Sequence, residues 1–371
     1  MSLRGGGSSH APILNPGFSP DFKTKLKVVL MMSEDFEFWR SAQNFALEVA
    51  HDLDIELTVQ PAGNRFESLR SLKALVKSGN KPDFLIFPYP LGTGNKMLDI
   101  VEAAGINTFL YNSDISLIDR AELGRPRENY RYWLGHMFPD DEQVGYILAD
   151  TLIRLRREAL DVDPGRRDSI IQLAGIGGAS SSLPAILRNS GFKRRVSDGH
   201  GLQLRRIAHI EWTNPAPAVH VLFKSYPDLD ILWTAADILA IDSIGPAESL
   251  GFISGEDFLI GGVDWSPAGV EAVADGRIAV SVGGHYQEAG WALVLLNDLY
   301  YGVDFADDPG VVIKLPMSAL TQKNVDIYQS IFTNERWKQV DFKYFSKYYN
   351  PNLKSYDFSI DRFFYEFNRL P

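Results

Sequence analysis

Short apolar runs of strand length alternate with segments of helical length along most of the chain, and that rhythm excludes most folds at once. Residues 26–32 form a compact apolar run, and a helix is expected after it to about Leu53, with Phe45, Val49 and Leu53 on one face. Residues 55–59 alternate as a strand, 66–77 read as a helix, 83–87 as a buried strand, 94–104 as a helix and 107–111 as a strand. Strands separated by helices of this length join through right-handed crossovers into a parallel sheet. A polar segment, 114–131, reads as a surface excursion containing Gly124, Arg125 and Pro126. The rhythm resumes with a strand at 132–137 and a helix opened by Asp140, Asp141 and Glu142, acids at its positive end. It then repeats, with strands at 169–173, 204–210, 231–234 and 258–263 and helices at 183–190, 215–225 and 238–250. This is a second α/β domain of similar plan without a sequence repeat.

A chain of 371 residues exceeds one typical core, which agrees with two domains. Its net charge of -10 argues against a nucleic-acid partner, because phosphate binding needs a basic face. The basic runs 154–157 and 193–195 are too short to supply one. With no cysteine, disulfides and thiolate chemistry are excluded. No apolar run approaches the ~18 residues of a membrane span. The opening MSLRGGGSSHAP lacks the apolar centre of a signal peptide and reads as a leader on a mature sequence whose export signal has been removed.

Residues 261–302, GGVDWSPAGVEAVADGRIAVSVGGHYQEAGWALVLLNDLYYG, carry the most information. The strand before them stops at Asp264, and Ser266-Pro267 opens a short helix, where proline's missing N–H costs nothing. Asp275-Gly276 turns the chain into a strand at 278–282, and Gly283-Gly284 leads into a long amphipathic helix from His285 to Tyr301. In open parallel sheets ligands bind beyond the carboxyl ends of the strands, where Asp264 and His285 are expected.

This stretch resembles the periplasmic sugar-binding proteins of the ribose-binding type, with an Asp at a strand end, a helix, an A-x-S/T-V/I strand and then a crossing into the other domain. Trp265 and Gly-Gly-His285 bring it nearest to substrate-binding components of sugar ABC transporters and related quorum-signal receptors. The resemblance runs from about Leu26 to Val325 and implies two similar parallel-sheet α/β domains joined by a three-segment hinge, the type I periplasmic binding protein fold. It places crossings near His136, Gly284 and Leu315. Residues 26–136 plus 285–315 would form the N-terminal domain and 137–284 plus 316–340 the C-terminal one, with 1–25 a leader and 341–371 an aromatic extension. That extension departs from the ribose-binding pattern and shows little helical or strand periodicity. It reads as a strap packed over one domain or the hinge, or else as a partner-docking surface.

The resemblance also assigns ligand residues. Phe38 and Trp39 fall where ribose-type binders place aromatics, and rings can stack on the C–H faces of sugars. Trp212 matches the ring that closes the other side. Arg188, in Arg-Asn-Ser-Gly-Phe, matches an arginine that donates to sugar hydroxyls. Asp264 would accept from two vicinal hydroxyls. Asn112 matches a further position, with Asp114 the alternative in the same loop, and His285 stands at the third strand end. Arg188 and Asp264 are expected on a cleft, so that their loss would weaken binding and spare folding. Two departures count against ribose as the ligand: Ala236 stands where the pattern has Asn, and Gly284, followed by His285, where it has Gln.

Other signals are discounted. Gly175-Ile-Gly-Gly178 lacks the full dinucleotide spacing, Ser180–Ser182 lacks a nucleophile elbow, and the seven histidines show no metal-ligand spacing. No acid/base or nucleophile constellation suggests an enzyme, and no helix-turn-helix precedes the first strand. The expectation is a periplasmic, monomeric solute-binding protein without cofactor or metal. It would close on a small sugar-like ligand and pass it to a membrane permease, or present it to a sensor kinase.

Overall fold

The computed structural model describes residues 25–33, 36–161, 170–332 and 335–369. The leader expected over 1–25 lies outside them except for Lys25, as do the last two residues of the C-terminal extension. In chain order the strands of the described residues are β1 (Lys27–Met32), β2 (Glu56–Pro61), β3 (Phe84–Pro88), β4 (Thr108–Tyr111), β5 (Trp133–Pro139) and β6 (Ile171–Ile176). They continue with β7 (Leu202–Ala208), β8 (Ile231–Thr234), β9 (Leu259–Asp264), β10 (Val280–Gly283), β11 (Val312–Leu315) and β12 (Ser318–Leu320).

Two six-stranded sheets result, ordered β11-β5-β4-β3-β1-β2 and β12-β10-β9-β8-β6-β7. The pairings β2–β1–β3–β4–β5 and β7–β6–β8–β9–β10 are parallel, and β12 runs antiparallel to β10. The central strands are buried along nearly their whole length, as apolar runs flanked by helices on both faces require. The edge strands β11 and β12, four and three residues long, carry too short a pattern to be read from sequence.

The chain divides into two compact units, 1–138 with 287–314 and 341–366, and 139–286 with 315–340 and 367–371. The core of the first packs Met31, Leu85, Phe87, Leu110 and Trp133 against Leu72, Met97, Leu98 and Val101 of the flanking helices. The segment 114–131, read as a surface excursion, contains the short helix Leu117–Leu123, which Ser116 caps by accepting from the Asp119 N–H.

The helix expected from His285 to Tyr301 begins as a 3₁₀ turn, His285–Gln287, and continues as an α-helix over Glu288–Tyr300. It is not amphipathic. Every residue from Glu288 to Tyr300 is buried, which suits a helix apolar nearly all round. The C-terminal extension supplies part of the cover: Phe342, Phe345 and Phe358 pack on Trp291, and Phe342 and Phe363 on Phe45. Buried Asp298 ties the same segment down, accepting from Ser346 Oγ, Lys347 N at 2.6 Å and Tyr356 Oη at 2.6 Å. The extension ends in a helix, Ile360–Phe367, that its crowded aromatics hid from a periodicity reading.

In the second unit the helices Asp141–Asp161 and Leu183–Ser197 cross at glycines. A Cβ on Gly145 would lie 1.9 Å from the Arg188 carbonyl oxygen, and one on Gly191 1.8 Å from that of Glu142. Backbone meets backbone there, which brings Arg188 and Asp141 within reach of each other.

Candidate functional site

The carboxyl ends of β6, β8, β9 and β10 in the second unit carry a buried charged cluster. Asp264 is the last residue of β9 and has φ +128°, followed by Trp265 at +54°. Two successive non-glycine residues in the positive-φ region are costly and persist only where neighbours over-determine them. The neighbours are on hand. Trp265 donates from Nε1 to the Ser281 carbonyl at 3.1 Å, its ring lies 4.9 Å from Tyr328, and the Ser266 N–H donates to Asp237 at 3.0 Å. Ser266 caps the next helix by accepting from Gly269 N at 3.0 Å, so the Asp264 carboxylate is not spent as a cap.

Arg188 is 4% exposed. Its Nε donates to Asp141 Oδ1 at 2.7 Å and its Nη1 to the Ala235 carbonyl at 2.8 Å, while Nη2 lies 3.5 Å from His285 Nε2. Asp264 Oδ1 stands 3.5 Å from Arg188 Nη1 and 3.5 Å from His285 Nε2, beyond good hydrogen-bond range. Asp237, fully buried, accepts from the hydroxyl of Ser281 at 2.7 Å and from that of Ser266 at 3.2 Å.

Burial dominates the protonation of this cluster. It pushes the Asp264 carboxyl up to about 7, aided by repulsion from Asp141 and only partly opposed by Arg188. Burial and the nearby Asp264 raise Asp237 well above the carboxylate range, against the pull of its serine bonds. Burial and the Arg188 charge hold His285 far below its usual value, so its imidazole is neutral at neutral pH and its approach to Asp264 is not an ion pair. For Arg188, burial works against the charge, and Asp141, Asp264 and Asp237 more than reverse it.

Arg188, Asp264 and His285 are thus brought together, along with Asp141 and Asp237, which sequence reasoning missed. Asp141 sat in a run read only as helix-terminal acids, and Asp237 followed the missing Asn of the ribose-type pattern. The expectation that folding would tolerate loss of Arg188 does not fit its burial, because its removal strands the Asp141 carboxylate. Trp212 is half-buried and its ring packs on Gly178 in the loop after β6, where a Cβ would come within 2.8 Å of it.

The first unit presents a different set at the ends of its strands. Phe38 and Trp39, half-buried in the first turn of the helix Glu37–Asp52, meet edge to face at 5.0 Å. Trp39 stands edge-on to Tyr111 at 6.4 Å, and Tyr111 donates its hydroxyl to the Met31 carbonyl at 3.1 Å. Asn112 follows in the left-handed region, φ +66°, its N–H bonded to the Met137 carbonyl at 3.1 Å. Asp114 is engaged with Arg120 and the Ile115 N–H. Behind this loop, His136 is fully buried with Nε2 2.8 Å from the Ser113 carbonyl, to which it must donate. Burial pushes its pKa down to about 3 although that bond opposes the shift.

Two parallel α/β units of identical strand order, with polar and aromatic side chains gathered past the strand ends, define the type I periplasmic binding protein fold, and this chain has it. No family model and no curated protein matches the sequence. Among solved structures it resembles a periplasmic sugar-binding protein from Pseudomonas fluorescens, at 26% identity and TM-score 0.79, over 91% of this chain and 99% of that one. An ABC transporter solute-binding protein from Actinobacillus succinogenes with bound D-allose matches at 16% identity and TM-score 0.68, covering 82% of this chain and 100% of its own. One from Bacillus halodurans with bound myo-inositol matches at 18% and 0.66, covering 82% and 97%. These last two bear on the fold alone.

Proposed function

We propose that the chain is an extracytoplasmic solute-binding protein that takes up a small sugar or sugar-like molecule without altering it and delivers it to an ABC transporter permease. The observation that carries this reading is the pairing, past the strand ends of the second unit, of a charged donor and an under-bonded acceptor. Arg188 is anchored and fully charged, while Asp264 touches its neighbours only at 3.5 Å. A carboxylate so placed lacks strong donors, and hydroxyl groups supply them. The fold shared with the Pseudomonas fluorescens sugar-binding protein supports the same conclusion.

In this reading Asp264 accepts from ligand hydroxyls, Arg188 donates its remaining N–H groups, and Trp212, Phe38 and Trp39 offer ring faces. Asn112 and His285 complete the set. A thermal-shift screen over pentoses, hexoses and cyclitols tests it: a ligand at 100 times its dissociation constant adds roughly 2.7 kcal/mol of stability. The ligand recovered afterwards should be unchanged by NMR. Ribose should not lead the panel, since Ala236 and Gly284 leave its hydroxyls without amide partners. Micromolar ribose binding with larger sugars inert would refute that.

A further inference from the structure

Charge narrows the ligand further than shape does. Among the described residues, the ionisable groups around Asp264 come from four places: Asp141 at the start of its helix, Arg188 in the helix it crosses, Asp237 after β8, and His285 after β10. Three are carboxylates counting Asp264 itself, one is a guanidinium, and the imidazole is neutral. The guanidinium is largely consumed within the chain, by Asp141 at 2.7 Å and the Ala235 carbonyl at 2.8 Å. Asp237 is bonded to the hydroxyls of Ser281 and Ser266 and the N–H of Ser266, none of which carries charge. Asp264 keeps 16% of its side-chain surface and has Arg188 only at 3.5 Å. Burial holds Asp237 protonated and Arg188 is matched by Asp141, which leaves Asp264 as the carboxyl of this cluster without a close counter-charge, and it is the one still open.

Resting on the sugar-binding reading, we propose that the preferred solute carries a protonated amine among its hydroxyls, as an amino sugar or aminocyclitol does, and that the ammonium sits on Asp264. A hydroxyl can satisfy the geometry of a carboxylate but leaves its buried charge in place. An ammonium brings three donors and cancels the charge as well. A uronate or sugar phosphate would add negative charge beside Asp264, where the nearby cation among the described residues, Arg188, is already paired with Asp141. Binding of the amine also keeps Asp264 ionised, so affinity falls on acidification as the free site takes up its proton.

The test is calorimetry in matched pairs: glucosamine, galactosamine and mannosamine against glucose, galactose and mannose, and scyllo-inosamine against scyllo-inositol, with glucuronate as the anionic probe. In at least one pair the amine should bind about tenfold or more tightly than its parent, the scale of a charge-assisted hydrogen bond. Its advantage should shrink several-fold for each pH step downward from neutrality. Asp264→Asn, isosteric and checked for folding by circular dichroism, should bring the pair to within about twofold. Parents that bind as tightly as amines in every pair, or a tight complex with glucuronate, would overturn the inference while leaving the sugar-binding reading intact. If no member of the panel binds, both fall together.

Discussion

The two units share a strand order and differ in what they place at the ends of those strands. The first offers rings and an amide, Phe38, Trp39, Tyr111 and Asn112, and keeps the buried imidazole of His136 neutral behind the loop. The second offers Arg188, Asp141, Asp237 and Asp264 around a neutral imidazole. Topology therefore decides where a site can form and leaves its chemistry to local side chains. Rings suit apolar faces, whereas carboxylates and a guanidinium suit hydrogen-bonding groups and charge.

The largest expected effect sets folding against binding within the second unit. Arg188→Ala leaves Asp141 as an uncompensated buried charge and should cost about 3–5 kcal/mol. Hydrogen exchange should then show β6 to β9 losing protection while β1 to β4 keep it. Uniform loosening of both units would break the contrast drawn between them. Gly191→Ala, which drives a Cβ into the Glu142 carbonyl, should cost about 3 kcal/mol in urea unfolding and loosen the same unit. A variant as stable as wild type would mean that the two helices separate cheaply.

The buried groups of the two units titrate in opposite senses. Asp264 titrates near 7 when folded against 3.8 for the ordinary carboxyl, so this group costs stability as pH rises from about 4 to about 7. His136 is lowered from 6.5 to about 3, so the stability it contributes is lost as pH falls through that interval. His285 acts in the same sense as His136 and against Asp264. Asp264→Asn should therefore exceed wild type by up to about 4 kcal/mol at pH 7, with the gap closing toward pH 4. A gap that stayed constant with pH would show that Asp264 remains an ordinary ionised carboxylate. The smallest effect belongs to the rings: Trp39→Ala and Trp212→Ala should each weaken ligand binding by about 1 kcal/mol without altering its pH dependence.

The sequence by itself determined the alternation of strands and helices, the two-unit plan and the positions of Asp264 and His285 at strand ends. Those features follow from hydrophobic period and turn chemistry, which are local. It also marked Arg188, through a short motif, but not its burial. Only the tertiary structure decided that Asp141, 47 residues away, would become its partner, because that contact depends on two helices crossing at Gly145 and Gly191. The same holds for Asp237 with Ser281, 44 residues apart, and for the aromatic C-terminal segment, whose partners Trp291 and Phe45 lie far back in the chain. The protonation of Asp264 belongs to this second group. A carboxyl's charge is set by the desolvation and neighbouring charges that folding imposes, and neither is written in the residues beside it.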